Sequence, residues 1–226
     1  MSAAAVLVRI YIVRHGETNE NRLGIMQGHL DTKLNAAGVE QARLTANALE
    51  RVPFQKAFSS DLDRAAKTAE IILQNHPGVP LEKDADLRER YLGDWQGQKM
   101  EGRGSKIPSN VEQLTDLNLR AARWWNNNIL AFAESLRDDP AHREAAHPID
   151  VLVVSHGGYI SRLIANMLRS GKMRCAEGVL VDGKCGNASV SAIDMLENGE
   201  AVLVSYSDTT HLKVKLVQAN ADVLDQ

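Results

Sequence analysis

The sequence predicts an α/β protein, a three-layer α/β/α fold with a mostly parallel sheet and one antiparallel edge strand. Two apolar runs, at residues 6–13 and 149–155, are typical of strands buried on both faces of a parallel sheet. Segments with apolar residues three and four positions apart alternate with such runs, as expected for helices that cover a sheet. A polar turn, ENGE, joins two apolar segments near the end of the sequence and predicts a hairpin. We expect residues 1–226 to form a single domain.

In chain order, the predicted elements alternate between strand and helix. The first half gives a strand over 6–13, a helix over 35–51 that ends before Pro53, a strand over 54–59 and a helix over 62–74. The second half gives an irregular stretch over 93–108, a long helix over 111–136, a strand over 149–155, a helix over 160–168 and strands over 190–195 and 202–206. In open sheets of this kind, ligands bind at the carboxyl ends of the strands.

Composition and charge exclude several classes of protein. Hydrophobic residues make up 44% of the 226 residues, and the formal net charge of −3 supplies no basic field for a nucleic-acid backbone. No apolar stretch approaches the roughly 18 residues of a membrane span, and the first residues lack the basic lead of a secretion signal. We therefore expect a cytoplasmic protein that binds neither nucleic acid nor membrane, with Cys175 and Cys185 as reduced thiols.

Two histidines follow the ends of the two most apolar strands. His15 lies in VRHGE and His156 in VSHGG, and in both motifs the next residue is a glycine, which lets backbone approach closely. If the two strands are neighbours in one sheet, both imidazoles face a common crevice. A single histidine at a strand end is more often a packing residue, but Arg14 beside His15 indicates that a negatively charged group binds there.

Three kinds of chemistry would use such a pair of histidines. A metal site is disfavoured, because Arg14 would repel a divalent cation and the sequence has no HxH or HExxH spacing. A serine-type hydrolase is disfavoured because the sequence contains no GxSxG motif to supply the nucleophile. The third interpretation is anion chemistry, in which arginines hold a phosphate and an imidazole attacks phosphorus to form a phosphohistidine.

Anion chemistry also needs further positive charge and a proton donor, and the sequence offers a candidate for each. Arg64 lies early in the helix that follows the second strand, from where its guanidinium can reach the crevice. The alternative for Arg64 is a surface position paired with Asp61 or Asp63. Glu89, in LRERYLG, is the candidate acid, and its alternative is a solvated carboxylate.

The ordered motifs RHGET, LNAAGVEQA, SSDLDRAAKTA, LRERYLGDWQG, VVSHGG and NASV resemble the histidine phosphatase superfamily, also called phosphoglycerate mutase-like, over nearly the whole chain. The resemblance implies that His15 is the phosphate-accepting nucleophile, that Glu89 is the proton donor, and that Arg14, Arg64 and a protonated His156 bind the transferred phosphoryl group. It also implies substrate-binding positions at Asn21, Gln27, Gly28, Arg88 and Gly157. Glu112 falls where many members have a Gly-Glu-Ser run, with Val111 in place of the glycine.

Within this family the choice lies between phosphatases, which pass the phosphoryl group to water, and mutases, which return it to a second hydroxyl. The short GQKMEGRGSKIPS loop, and HGG where glycolytic mutases have HGN, favour a phosphatase similar to the fructose-2,6-bisphosphatase-type and broad-specificity enzymes. A noncatalytic phospholigand-binding protein is the remaining alternative.

The expected partner is a small phosphorylated molecule, and neither a metal nor another cofactor is expected. Lys99, Arg103 and Lys106 are candidates to contact a second phosphate, and their alternative is a solvated basic loop. A homodimer is left open, because Trp124 and Trp125 fit either a core or an interface.

Overall fold

The computed structural model describes residues 4–102, 106–137, 147–182 and 185–213. Its strands are β1 (Val6–Arg14), β2 (Phe54–Ser60), β3 (Leu81–Asp84), β4 (Ile149–Ser155), β5 (Met173–Cys175), β6 (Val190–Leu196) and β7 (Ala201–Asp208). Its α-helices are α1 (Asn19–Leu23), α2 (Ala36–Leu49), α3 (Asp63–Leu73), α4 (Leu114–Trp125), α5 (Ala131–Arg137) and α6 (Gly157–Arg169).

The strands form one sheet in the order β3-β2-β4-β1-β6-β7-β5. The pairs β1–β4, β2–β4, β2–β3 and β5–β7 are parallel, and β6 is antiparallel to both of its neighbours. The predicted class, a mostly parallel sheet with antiparallel pairing toward one side and a β6–β7 hairpin, is confirmed. The antiparallel strand itself is not outermost, because β7 and the short β5 continue the sheet beyond it.

Helices cover both faces of the sheet, so the fold has three layers. Ile12 and Val153 face a core formed with α4, α5 and α6, whereas Val13 and Val154 face a second core formed with α2 and α3. Successive residues of a strand point to opposite faces, which explains why β1 and β4 are apolar at nearly every position. Because both of their faces are apolar, β1 and β4 lie at the centre of the sheet with helices on either side.

The register of β1 and β4 sets the position of the site. Arg14 pairs with Ser155 at the carboxyl ends of the two parallel strands, and the His15 amide donates to the Ser155 carbonyl at 2.9 Å. His15 and His156 therefore leave the sheet side by side.

The predicted long helix over 111–136 is interrupted. It begins at Leu114 and passes through a π-helical turn, Asn126–Leu130, before α5. The Asn128 side-chain amide donates to the Trp124 carbonyl at 3.0 Å, and asparagine side chains that bond to the preceding turn compete with regular helical hydrogen bonds.

The tryptophan pair of α4 belongs to the core. Trp124 and Trp125 are both buried, and the Trp124 ring meets Phe58 edge-on, with ring centroids 5.5 Å apart. The two tryptophans are therefore core residues and do not indicate a dimer interface.

The sequence patterns did not predict α1, β3 or β5, each of which has five residues or fewer. In its described residues, the stretch between β3 and α4 carries three short 3₁₀ turns, Ala85–Leu87, Gly93–Trp95 and Met100–Gly102. This stretch supplies Glu89, Arg90, Leu92 and Met100 to the cavity described below.

Candidate active site

The two strand-end histidines lie against each other at the carboxyl edge of the sheet. Their ring centroids are 5.2 Å apart, and the exposed fractions are 3% for His15 and 0% for His156. The common crevice expected from the two motifs is therefore present. Thr68 and Asn187 support the His15 turn, since the Thr68 hydroxyl accepts from the Gly16 amide at 3.1 Å and the Asn187 amide donates to the His15 carbonyl at 3.1 Å.

The tautomer of His15 follows from its backbone contact. His15 Nδ1 lies 2.7 Å from the Gly16 carbonyl oxygen, and because a carbonyl only accepts, Nδ1 carries the proton and Nε2 presents its lone pair. Burial, together with the charges of Arg64 and Arg14, lowers the pKa of His15 well below its usual value. The imidazole is therefore neutral and nucleophilic at neutral pH.

Two guanidinium groups, those of Arg14 and Arg64, line the same cavity as His15, and both donate from Nη atoms to backbone carbonyls. Arg14 Nη1 donates to the Cys185 carbonyl at 2.6 Å. Arg64, which is 1% exposed, donates to the carbonyls of Leu30 and Gly28, each at 2.8 Å. Burial lowers the pKa of Arg14 and brings that of Arg64 to about 10. Arg64 is therefore a site residue and not the surface partner of Asp61.

His156 differs from the expectation of a protonated imidazole. Its pKa is lowered well below the usual value, first by burial and then by the charges of Arg64, His15 and Arg14. A cationic His156 would be both desolvated and repelled by two arginines, so the ring is neutral in this arrangement. A bound phosphoryl dianion would reverse the sign of the local field and favour the protonated ring.

Four buried nitrogen atoms converge here without a hydrogen-bond partner among the described residues: Arg14 Nε, Arg64 Nε, His156 Nδ1 and His156 Nε2. A buried polar group without a partner costs about 1–3 kcal/mol, and native interiors leave few such groups. An oxyanion could accept from the two guanidinium Nε–H groups and from whichever His156 ring nitrogen carries a proton, which would satisfy three of the four atoms. We call Arg14, His15, Arg64 and His156 the phosphoryl pocket.

Glu89 reaches the pocket from the other side. Its Oε2 accepts from the Gly158 amide at 2.8 Å, and its Oε1 accepts from the Arg90 amide at 2.8 Å. A Cβ on Gly158 would collide with the Glu89 carboxylate, and a Cβ on Gly157 would lie 3.1 Å from Arg14 Nε. Gly157 therefore makes room for the Arg14 guanidinium and Gly158 for the Glu89 carboxylate. With two backbone amides bonded to it, Glu89 is not the solvated carboxylate of the alternative interpretation.

Side-chain contacts hold the backbone on either side of Glu89; we call residues 86–91 the acid segment. Arg120 of α4 donates to the carbonyls of Asp86 and Arg88 at 2.8 Å and of Glu89 at 3.2 Å. The Glu112 carboxylate pairs with the Arg120 guanidinium at 2.9 Å and accepts from the Tyr91 amide at 3.0 Å. No sequence motif marks Arg120.

The substrate-binding residues predicted from the resemblance fall into two groups. Asn21, Gln27, Gly28 and Gly157 all line the cavity that opens above the phosphoryl pocket. Gln27 Oε1 accepts from the hydroxyls of Thr18 and Thr32, which leaves its amide nitrogen to donate.

Arg88, by contrast, is not among the lining residues. It forms a bidentate pair with Asp61 at 2.7 and 2.6 Å. This charged partner turns the guanidinium away from the cavity, so the assignment of Arg88 to substrate binding is corrected.

The cavity has a volume of about 580 Å³, enough for a small phosphorylated molecule. Within the described ranges, no three His, Cys, Asp or Glu side chains are grouped as metal ligands would be. The helices in those same ranges include none with the length and apolar character needed to cross a membrane.

Comparison with known proteins defines the class. The family model of the histidine phosphatase superfamily, branch 1, matches residues 10–209, and the chain belongs to this family. A broad-specificity phosphatase of Saccharomyces cerevisiae is 28% identical over 91% of this chain and 88% of its own length. Phosphoglycerate mutase-like protein 4 of Arabidopsis thaliana is 32% identical over 90% of this chain and 86% of its own length. A solved structure of mycobacterial glucosyl-3-phosphoglycerate phosphatase in complex with VO3 is 28% identical, with a TM-score of 0.70 over 91% of this chain and 100% of its own.

Proposed function

We propose that this protein is a phosphatase that hydrolyses small phosphorylated metabolites without a metal ion, through a covalent phosphohistidine on His15. The observation that carries the proposal is the set of unpartnered buried nitrogens of Arg14, Arg64 and His156 beside the neutral His15 imidazole. These groups match the nonbridging oxygens of a phosphoryl group, and phosphoryl transfer is accelerated mainly by positioning and by electrostatic stabilisation of those oxygens.

In the first step, the His15 Nε2 lone pair attacks phosphorus in line with the leaving oxygen. The nitrogen–phosphorus bond forms while the bond from phosphorus to the leaving oxygen breaks, and the electron pair stays on that oxygen. Glu89, in its protonated form, gives its proton to the leaving oxygen. The Gly16 carbonyl keeps the Nδ1 proton in place and supports the positive charge on the ring.

In the second step, water attacks phosphorus from the side that the leaving group has vacated. The Glu89 carboxylate accepts a proton from this water, the nitrogen–phosphorus bond breaks, and its electron pair returns to Nε2. Inorganic phosphate leaves, and both His15 and Glu89 regain their starting protonation states. Throughout, Arg14 and Arg64 offset charge on the nonbridging oxygens.

A trapping experiment tests the covalent step. The protein is mixed with 4-nitrophenyl [³²P]phosphate and quenched in alkaline detergent, because phosphohistidine is labile in acid. We expect alkali-stable, acid-labile label on the peptide that contains His15, none in His15→Asn, and turnover that is unchanged by a chelator. Turnover with no label on His15, or turnover lost to chelator, would contradict the mechanism.

The mutase alternative has its own measurement. Incubation with a phosphoglycerate and its bisphosphate, followed by separation of isomers from free phosphate, distinguishes transfer to water from transfer to a second hydroxyl. We expect free phosphate as the main product. A noncatalytic phospholigand-binding protein would bind vanadate and release no phosphate from any ester tested.

Two further expectations belong with this proposal. We expect the protein in the cytoplasm, which cell fractionation tests. The oligomeric state is measured by light scattering after size-exclusion chromatography, and a homodimer would have to use a surface other than the buried tryptophan pair.

A further inference from the structure

The cavity extends past the phosphoryl pocket along an apolar surface. Among its lining residues are Ile25, Met26, Leu92 and Met100, and we call these four the apolar wall. They line the same cavity as Glu89, which serves the leaving oxygen in the proposed mechanism, so the leaving group of a bound phosphomonoester can reach them. The wall comes from two segments: Ile25 and Met26 follow α1, Leu92 precedes the second 3₁₀ turn after β3, and Met100 begins the third.

The two loops are joined by backbone hydrogen bonds, so the wall is a built surface. The Met26 amide donates to the Gln98 carbonyl at 2.9 Å, and the Gly97 amide donates back to the Met26 carbonyl at 2.8 Å. The Met100 amide donates to the Gly24 carbonyl at 2.9 Å. Ile25 forms an antiparallel bridge with Lys99 between these bonds.

Packing behind the wall fixes two of its members. Met26 is buried in a small cluster with Trp95 and Val111, and Leu92 packs against that cluster. Met100 is different, because 52% of it is exposed at the mouth of the cavity. An apolar side chain left in water beside a preformed apolar surface favours a ligand that covers both.

The charges around the wall do not suit a second phosphate. Lys99 and Lys106, the sequence-based candidates for that role, are not among the lining residues, and Arg103 lies outside the described residues. Among the described residues, the cavity is lined by one further arginine besides Arg14 and Arg64, namely Arg90. Its Nε already donates to the Glu112 carbonyl at 2.8 Å.

We infer that the substrates are phosphate monoesters whose leaving group carries an apolar body, and that Ile25, Met26, Leu92 and Met100 bind this body. The inference rests on the proposed phosphatase function and adds the substrate class to it. A single phosphate occupies the phosphoryl pocket while the carbon skeleton covers the wall. Bisphosphates, and esters with short polar leaving groups, are poorer substrates.

A series of n-alkyl phosphates from ethyl to hexyl tests the inference. Their leaving alcohols have nearly the same acidity, so differences in kcat/KM report binding of the chain. We expect kcat/KM to rise about fourfold with each added methylene until the wall is covered, the ratio equivalent to about 0.8 kcal/mol. A flat series, or faster turnover of 1,4-butanediol bisphosphate than of butyl phosphate, would overturn the inference.

A matched pair of variants locates the effect. Met100→Gln keeps the length of the side chain and makes it polar, and Met100 is exposed enough that folding is undisturbed. We expect the hexyl-to-ethyl ratio of kcat/KM to fall at least about fourfold. Leu119→Gln makes the same kind of change at a position that is 67% exposed and away from the cavity, and should leave the ratio unchanged.

The ratio also separates this inference from the proposed function. Absence of hydrolysis across the whole series, with no label on His15, would contradict the phosphatase mechanism itself. Hydrolysis of every ester with no dependence on chain length, or an unchanged ratio in Met100→Gln, would contradict only the apolar wall.

Discussion

The phosphoryl pocket and the acid segment face each other across one cavity but are held in different ways. The pocket residues lie at or just after strand ends or on a helix packed against the sheet, and four of their buried nitrogen atoms have no partner among the described residues. The acid segment is irregular, and it is held by Arg120, Glu112 and His29, whose Nε2 donates to the Glu89 carbonyl at 2.8 Å.

The difference indicates a division of labour. A pocket fixed by the sheet recognises the phosphoryl group, which is common to all substrates, whereas a segment fixed by side chains positions the acid that serves the leaving group. Changes in the pocket should therefore slow every substrate alike. Changes in the acid segment should slow substrates in proportion to how much their leaving oxygen needs a proton.

The largest effect is expected from the pocket arginine. Arg64→Met removes a desolvated cation from the nonbridging oxygens, and we expect kcat/KM to fall about 10³-fold or more for all esters, as for arginines that stabilise transferring phosphoryl groups. Arg88→Met is the matched control, because Arg88 is paired with Asp61 in a half-exposed bridge. Steady-state kinetics of both variants would contradict this assignment if Arg88→Met were the slower enzyme.

The acid should give the next largest effect, and its size should depend on the leaving group. Glu89→Gln keeps the hydrogen bond to the Gly158 amide in reach but has no proton to transfer, so we expect a loss of about 10²–10⁴-fold with alkyl phosphates. With 2,4-dinitrophenyl phosphate, whose leaving group needs no proton, the loss in kcat/KM, which reports only the first step, should be small.

Gly158→Ala tests the same point without touching the acid itself. An added Cβ would collide with the Glu89 carboxylate and displace it, so the variant should show the same dependence on the leaving group as Glu89→Gln. Equal losses with alkyl and dinitrophenyl esters in both variants would show that Glu89 acts on the phosphoryl group and not on the leaving oxygen.

Sequence patterns predicted the pocket far better than the acid segment, for a physical reason. A strand buried on both faces is apolar at nearly every residue, so the point where it ends is visible in the sequence. His15 and His156 stand at two such ends. Arg88 lies in an irregular stretch, where no helical or strand periodicity predicts which way a side chain points. Asp61, which the sequence offered as a partner for Arg64, pairs with Arg88 instead. Arg120 acts on backbone carbonyls, which leave no trace in the sequence.

A smaller effect is expected from Arg120, which positions the acid segment without touching substrate. Arg120→Met removes its bonds to the Asp86, Arg88 and Glu89 carbonyls and takes away the cation paired with Glu112, so Glu89 should shift and kcat/KM with alkyl phosphates should fall about 10- to 100-fold. Dinitrophenyl phosphate should be affected less, which a purely structural defect would not produce. Arg123→Met, on the same helix and paired with Asp86 at the surface, is the control and should retain activity.

The smallest effect concerns stability and follows from the neutral histidines of the pocket. The pKa values of His15 and His156 lie well below 6.5 in the folded chain, because of burial and the nearby arginines, and return to about 6.5 on unfolding. Below that pH the unfolded chain binds more protons than the folded chain, so the free energy of unfolding falls as the pH falls. Each histidine contributes up to about 1.4 kcal/mol per pH unit.

Urea unfolding at pH 7, 6 and 5 measures this dependence, and the pocket can be separated from other groups. Burial also lowers the pKa values of His29, His76 and His211, and these residues contribute a slope of the same sign. In a His15→Asn, His156→Asn double variant only that residual slope should remain. An unchanged slope would mean that the two rings are already protonated or hydrated in the folded chain, and the pocket would then not be the dry, neutral site described above.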